Sequence, residues 1–219
     1  MSFPSVIYGS ELEVFQSYTS EKVPVGTKLV TSDGREFRFT QHLALTVVNN
    51  LYQAEIHLAD QSGEAIDTLA AGVTALTGVG STTTAVTADE LINGYIWTDN
   101  AVTLPMMRIK DNAAIAISGT GTVTLYTKTP TAIAAANTVS YIKNPWRDAI
   151  IKPATAETAP IVGVARVAVA AAGFGWLQTS GPAAVLYDAT TTAIAGIGDP
   201  VGPDQNVLGA CSGVADGTP

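Results

Sequence analysis

The stretch VGTKLVTSDGREFRF, residues 25–39, decides the fold class. Lys28, Val30 and Ser32 alternate with Leu29 and Thr31. Beyond Asp33-Gly34, Phe37 and Phe39 take one side and Glu36 and Arg38 the other. A period of two is that of a half-buried strand. Asp-Gly between two such runs is a hairpin signal, because glycine accepts the positive φ that a tight turn demands. Residues 23–48 therefore read as a compact antiparallel β unit.

The same grammar continues. Tyr95 and Trp97 alternate with Ile96 and Thr98. Gly119 and Gly121 read as a turn before the strand TVTLYTK. Near the C-terminal end, GFGWLQTSGPAAVL (173–186) puts Phe174, Trp176 and Gln178 on one strand face and Leu177 and Thr179 on the other. Ser180-Gly181-Pro182 then reads as a turn, with AAVLY running back as the second strand of a hairpin. Breaks every eight to twelve residues point to an all-β, mainly antiparallel sandwich or barrel of Greek-key or jelly-roll type. At most short helices are expected, one within residues 50–70 and a brief turn of helix after residue 131.

The first 22 residues fit neither period. Phe3, Ile7, Tyr8, Phe15 and Tyr18 are spaced irregularly around Pro4 and Gly9. They read as an extended arm or as an unstructured terminus, the aromatics favouring the arm. Extended, about 22 residues reach roughly 70 Å, far beyond the roughly 17 Å radius of gyration of a domain this size. The expected organisation is an arm over 1–22 and a β-rich domain over 23–219, whole or split into two subdomains near 135–140.

Composition narrows the function. Lys and Arg number 11 against 19 Asp and Glu, a formal charge of -8. Nucleic acid, whose phosphates require a basic footprint, is not an expected partner. Charged residues make up 14% of the chain, against the usual quarter, which suits a surface covered by partners. MSFPSVIYGS lacks the basic and apolar regions of a secretory leader. The most apolar stretch, IVGVARVAVAAAGFGW, carries Arg166 and is too short to cross a membrane, so no membrane association is expected. Cys211 is the single cysteine, so no internal disulfide forms.

Chemistry-bearing motifs are sparse. His42 and His57 stand fifteen residues apart without cysteine partners, short of a zinc set. GVGSTTT (78–84) and GTGT (119–122) are rich in glycine, but the Lys-Ser/Thr of a phosphate loop is missing and turns are expected. Asp89-Glu90, Asp199 and Asp204 do not follow a calcium-loop pattern. No catalytic, cofactor-binding or metal-ligating residues are assigned, and no cofactor is expected.

Four segments in order, VGTKLVTSDGREFRF, INGYIWTDN (92–100), VSYIKNPWRDAIIKP (139–153) and GFGWLQTSGPAAVL, resemble a group of tailed-bacteriophage virion proteins, the capsid decoration or cement proteins. The resemblance spans most of residues 24 to 200. It implies a non-enzymatic β-rich protein, made in the host cytoplasm, that binds the outer surface of the major capsid protein shell. It also implies a homo-oligomer, with a trimer favoured. Under that reading Phe3, Tyr8, Phe15 and Tyr18 in the arm, with Trp146 beside Pro145, are the expected partner-binding anchors, since large rigid side chains dominate contacts. The alternative expectation is a head or tail fibre protein whose Tyr and Trp platforms bind host-surface glycans.

Overall fold

A computed structural model describes residues 5–55, 61–99, 104–190 and 198–214. The chain is all-β and mainly antiparallel, with one short 3-10 turn, Glu11–Phe15, among the described residues. It runs through β1 (Val6–Tyr8), β2 (Lys28–Val30), β3 (Glu36–Gln41) and β4 (Leu51–Gln53). There follow β5 (Ala75–Ser81), β6 (Tyr95–Thr98), β7 (Met107–Asn112), β8 (Gly119–Leu125) and β9 (Val139–Ile142). The last strands are β10 (Ile150–Ile151), β11 (Ile161–Ala165), β12 (Phe174–Ser180), β13 (Val201–Pro203) and β14 (Cys211–Gly213). Two compact units result: Met1–Ile56 with Pro145–Pro219, and His57–Asn144 inserted between those halves. Among the described residues no helix is long and apolar enough to cross a membrane.

The first unit is built on a seven-stranded sheet in the order β1-β2-β3-β12-β11-β4-β10. Only the β1–β2 pair in it is parallel. The Asp33-Gly34 hairpin forms between β2 and β3. Thr31 and Arg35 close it (N–H to carbonyl, 3.1 Å), and Gly34 takes φ +83°. The loop is thus the three residues 32–34, with glycine in the left-handed position.

In the centre, Trp176 pairs with Phe39 and Gln178 with Phe37. This register stacks the aromatics on one face: Phe39 lies 5.9 Å from Phe174 and 5.0 Å, edge-on, from Trp176. Val14, Val25 and Leu29 complete that core. Leu177 points to the opposite face, as alternation requires, and packs with Tyr52, Ala149, Val162 and Ala165. Both faces of the sheet are therefore buried at its centre. At a bulge in β11, Gly163 (φ +150°) lets two strands approach; a Cβ there would sit 2.7 Å from the Gln178 carbonyl oxygen.

Three local expectations change. The stretch 183–187 does not return beside β12 as a hairpin strand; β12 is flanked by β3 and β11. The Gln178 amide donates to the carbonyls of Ser180, Gly181 and Pro182, curling the chain away from a tight β-turn. Leu186 then donates to Asn49, and Tyr187 bridges Cys211. The described parts of 50–70 hold β4, bends and extended backbone, and residues 131–138 hold a β-bridge at Ile133 and a turn, so no helix forms among the described residues of either stretch. Lastly, residues 5–22 do not run out from the domain as an arm. β1 adds to β2, Val14 is wholly buried over the aromatic core, and Tyr18 bridges Phe174.

The inserted unit has a five-stranded sheet in the order β5-β8-β7-β6-β9. Residues 61–69 close it. Glu64 exchanges backbone hydrogen bonds with Val139 on one edge, while Gly80 and Asp67 pair with Ala65 and Thr77 on the other. The sheet so closed surrounds a core of Leu76, Val79, Ile96, Ile109, Val123 and Tyr141. Closure pairs both outer strands of the sheet, β5 and β9, and so shields their edges from unintended pairing. Of the two glycine-rich runs expected as turns, 78–81 and 119–122 are strand and pair with each other (Val79 with Gly121, Gly80 with Thr120, Ser81 with Gly119), while 82–84 bend.

Candidate contact surface

Of the aromatic anchors expected near the N-terminus, two are exposed among the described residues. Tyr8, at the end of β1, is 85% exposed, and Phe15, closing the 3-10 turn, is 42% exposed. Leu12, between them in sequence, is 74% exposed. Sequence reading did not single out Leu12; the 3-10 turn directs it outward.

These side chains stand on a fixed base. Lys28 donates to Ser5 and Gly9 to Val30, both across the β1–β2 pair. In a parallel pair this turns the N–H and C=O groups of Val6 and Tyr8 away from β2, toward the open sheet edge. Arg35 ties the segment down by ion pairs to Glu11 (2.5 Å) and Asp33 (2.6 Å). Hydrogen bonds from Thr31 and Arg35 hold the Asp33 carboxyl at about 2, below the ordinary carboxylate range.

The other expected anchors are placed differently. Tyr18 is half-buried, 6.0 Å from Phe39, with its hydroxyl donating to Glu13 at 3.0 Å. Burial, then the Glu13 carboxylate, raises its pKa. Trp146 is half-buried beneath the Arg38 guanidinium, 4.9 Å from its ring, and its carbonyl accepts from Gln41. Both side chains secure the sheet rather than face solvent. Phe3 and His57 lie outside the described residues.

The remaining chemistry-bearing groups have structural roles. His42 is 1% exposed, and burial lowers its pKa to about 4. Cys211 is buried, with its thiol donating to the Leu186 carbonyl and its pKa raised by burial. Burial pushes the Glu90 carboxyl up, but hydrogen bonds from Thr87 and the Lys143 charge outweigh it and hold the group low. Asp204 likewise caps its own turn, accepting from the amides of Asn206 and Val207. Among the described residues no group of three His, Cys, Asp or Glu side chains is arranged to hold a metal ion.

A second apolar surface follows β3. The loop after β3 exposes Leu43, Leu45, Val47 and Val48. Its run LALTVV scans as a continuing strand, so nothing local marks it as a display loop. The chain has no match among protein-family models, curated proteins or solved structures.

Proposed function

We propose that this chain is a non-enzymatic virion structural protein, a capsid decoration or cement protein. In this reading it binds the outer surface of the major capsid protein shell and braces it. The observation that carries the reading is three exposed side chains, Tyr8, Leu12 and Phe15, on a segment hydrogen-bonded and ion-paired to its own sheet. A backbone already held in place loses little conformational freedom on docking, so more of the side-chain burial appears as affinity. The open edge of β1 also offers backbone hydrogen bonds to an added strand. Many copies on one shell would add avidity to a modest single contact. The sequence resemblance and the structural use of the histidine, cysteine and acidic groups support the same reading.

The test is co-sedimentation with expanded empty shells of the cognate major capsid protein. A Tyr8→Ala/Leu12→Ala/Phe15→Ala protein is expected to keep its melting temperature and to lose shell affinity by at least about tenfold, since central anchors contribute above 1 kcal/mol each. Wild-type occupancy by this variant would sink the proposal. Virion imaging that places the protein only on the tail would instead favour the glycan-binding alternative.

A further inference from the structure

The apolar loop 43–48 does not stand alone. Thr46 in its centre is 2% exposed and pegs it to the β11–β12 loop. The Thr46 amide donates to the Val169 carbonyl (2.9 Å), its hydroxyl to the Val167 carbonyl (2.9 Å), and the Val169 amide donates back to that hydroxyl (2.6 Å). The Val47 amide donates to the Tyr52 hydroxyl at 2.7 Å. The peg turns the neighbouring side chains outward: Leu43 is 51%, Leu45 66% and Val47 50% exposed. On the joined loop Ala170 and Ala171 are exposed too.

Charge singles this surface out. The chain carries a net charge of -8, yet residues 39–54 and 167–186 contain no Asp, Glu, Lys or Arg. The one histidine in them, His42, is buried. A partner selected by complementarity to an acidic protein would find no carboxylate here to pair with. A second acidic copy, by contrast, meets no like charge within these two segments; Arg147 and Asp148, of opposite sign, stand beside them next to Ala149, whose carbonyl accepts from the Leu43 amide. The exposed apolar area is on the order of 400 Å², the size at which a patch marks a contact site. Two such patches face to face bury roughly 800 Å², and rim atoms bring the total toward the ~1,200 Å² of small specific interfaces.

We infer that the paired loops 43–48 and 167–172 form the self-association face of this protein, meeting the same loops of a second copy about a rotation axis. The face lies on different residues from Tyr8, Leu12 and Phe15 and does not depend on shell binding.

Sedimentation velocity from about 1 to 200 μM, suited to a contact of this size, tests the inference on the full chain. Wild-type protein is expected to rise from the mass of one chain to two or three times that mass. Association should tighten as salt is raised, because screening weakens the repulsion between acidic copies and leaves the apolar contact intact. Leu45→Glu and, separately, Ala171→Glu should each weaken association at least tenfold. Ala171 is exposed, so its variant keeps the test open if the Leu45 change disturbs folding. Leu45→Cys should give an intermolecular disulfide under mild oxidation, the native cysteine being buried, while Leu12→Cys should not without shells. A wild-type protein that stays at one-chain mass over the whole range overturns the inference. So does undiminished association of the Ala171→Glu protein, or association that loosens with salt.

Discussion

His42 sets up a sharp test of the first unit. Its backbone is fixed by the Gly173 carbonyl (2.9 Å) and a parallel bridge to Ala149. Its ring stands edge-on to Tyr52 at 5.6 Å, and Nδ1 is buried with no hydrogen-bond partner. Burial alone lowers its pKa from 6.5 to about 4. Between those values the unfolded chain holds a proton that the folded protein does not, so stability falls as pH falls through 6.5 and the loss levels off below about 4. The contribution at stake is roughly 2 kcal/mol by pH 5 and roughly 3 kcal/mol by pH 4. At a urea slope of about 2 kcal/mol per molar, the pH 5 figure moves the midpoint by about 1 M. Trp97→Phe removes the tryptophan of the inserted unit and leaves Trp146 and Trp176 to report on the first unit. In that background, His42→Leu should abolish most of the midpoint shift between about pH 7.5 and pH 5, above the range where ordinary carboxylates titrate. If the His42→Leu midpoint falls as steeply as that of the parent, the reasoning is refuted.

Two further substitutions probe backbone packing. Gly163→Ala should lower stability by at least about 2 kcal/mol, a drop of several degrees in melting temperature, because its Cβ meets a backbone oxygen that cannot yield; an unchanged melting point would count against the close approach at the bulge. Thr46→Val should cost about 1–3 kcal/mol by leaving the Val169 amide buried and unpaired, and Thr46→Ser should restore most of it in urea titrations; equal stability of the valine and wild-type proteins would dismiss the peg.

What could be read from sequence was local chemistry. Asp33-Gly34 announced its hairpin because the turn depends on one glycine φ. Phe37 with Phe39, and Phe174 with Trp176, announced their face because alternation is built into a strand. Pairing over distance left no such mark. β12 pairs with β3, more than 130 residues earlier, and nothing in GFGWLQTSGPAAVL names that partner. The serine-glycine-proline break therefore read as a hairpin turn, whereas the Gln178 amide in fact gathers the three carbonyls that follow it. The glycines at 78–80 and 119–121 looked like turns because glycine weakens a strand taken singly, and only their mutual pairing shows why they are tolerated. At the surface, Tyr8 and Phe15 stood out as aromatics, but Tyr18 could not be separated from them until the Phe39 contact showed it facing inward.

The nesting of one unit inside the other has a consequence for how the chain comes into being. The inserted unit has all its strands by residue 142, so it can be complete while the ribosome is still adding residues. The first unit must wait, since β3 stays without its central neighbour until residues 174–180 emerge. Its first four strands, including exposed Phe37 and Phe39, are held open through that interval, the period in which unpaired strands are prone to misassembly. Yet the wait ends close to where it began. β4 and β10, which flank the insertion, are hydrogen-bonded neighbours through Gln53 and Ile150. The chain therefore resumes its sheet beside the strand where it left off, so the ends of the insertion are already joined by hydrogen bonds and a short linker between β4 and β10 could replace it without interrupting the sheet.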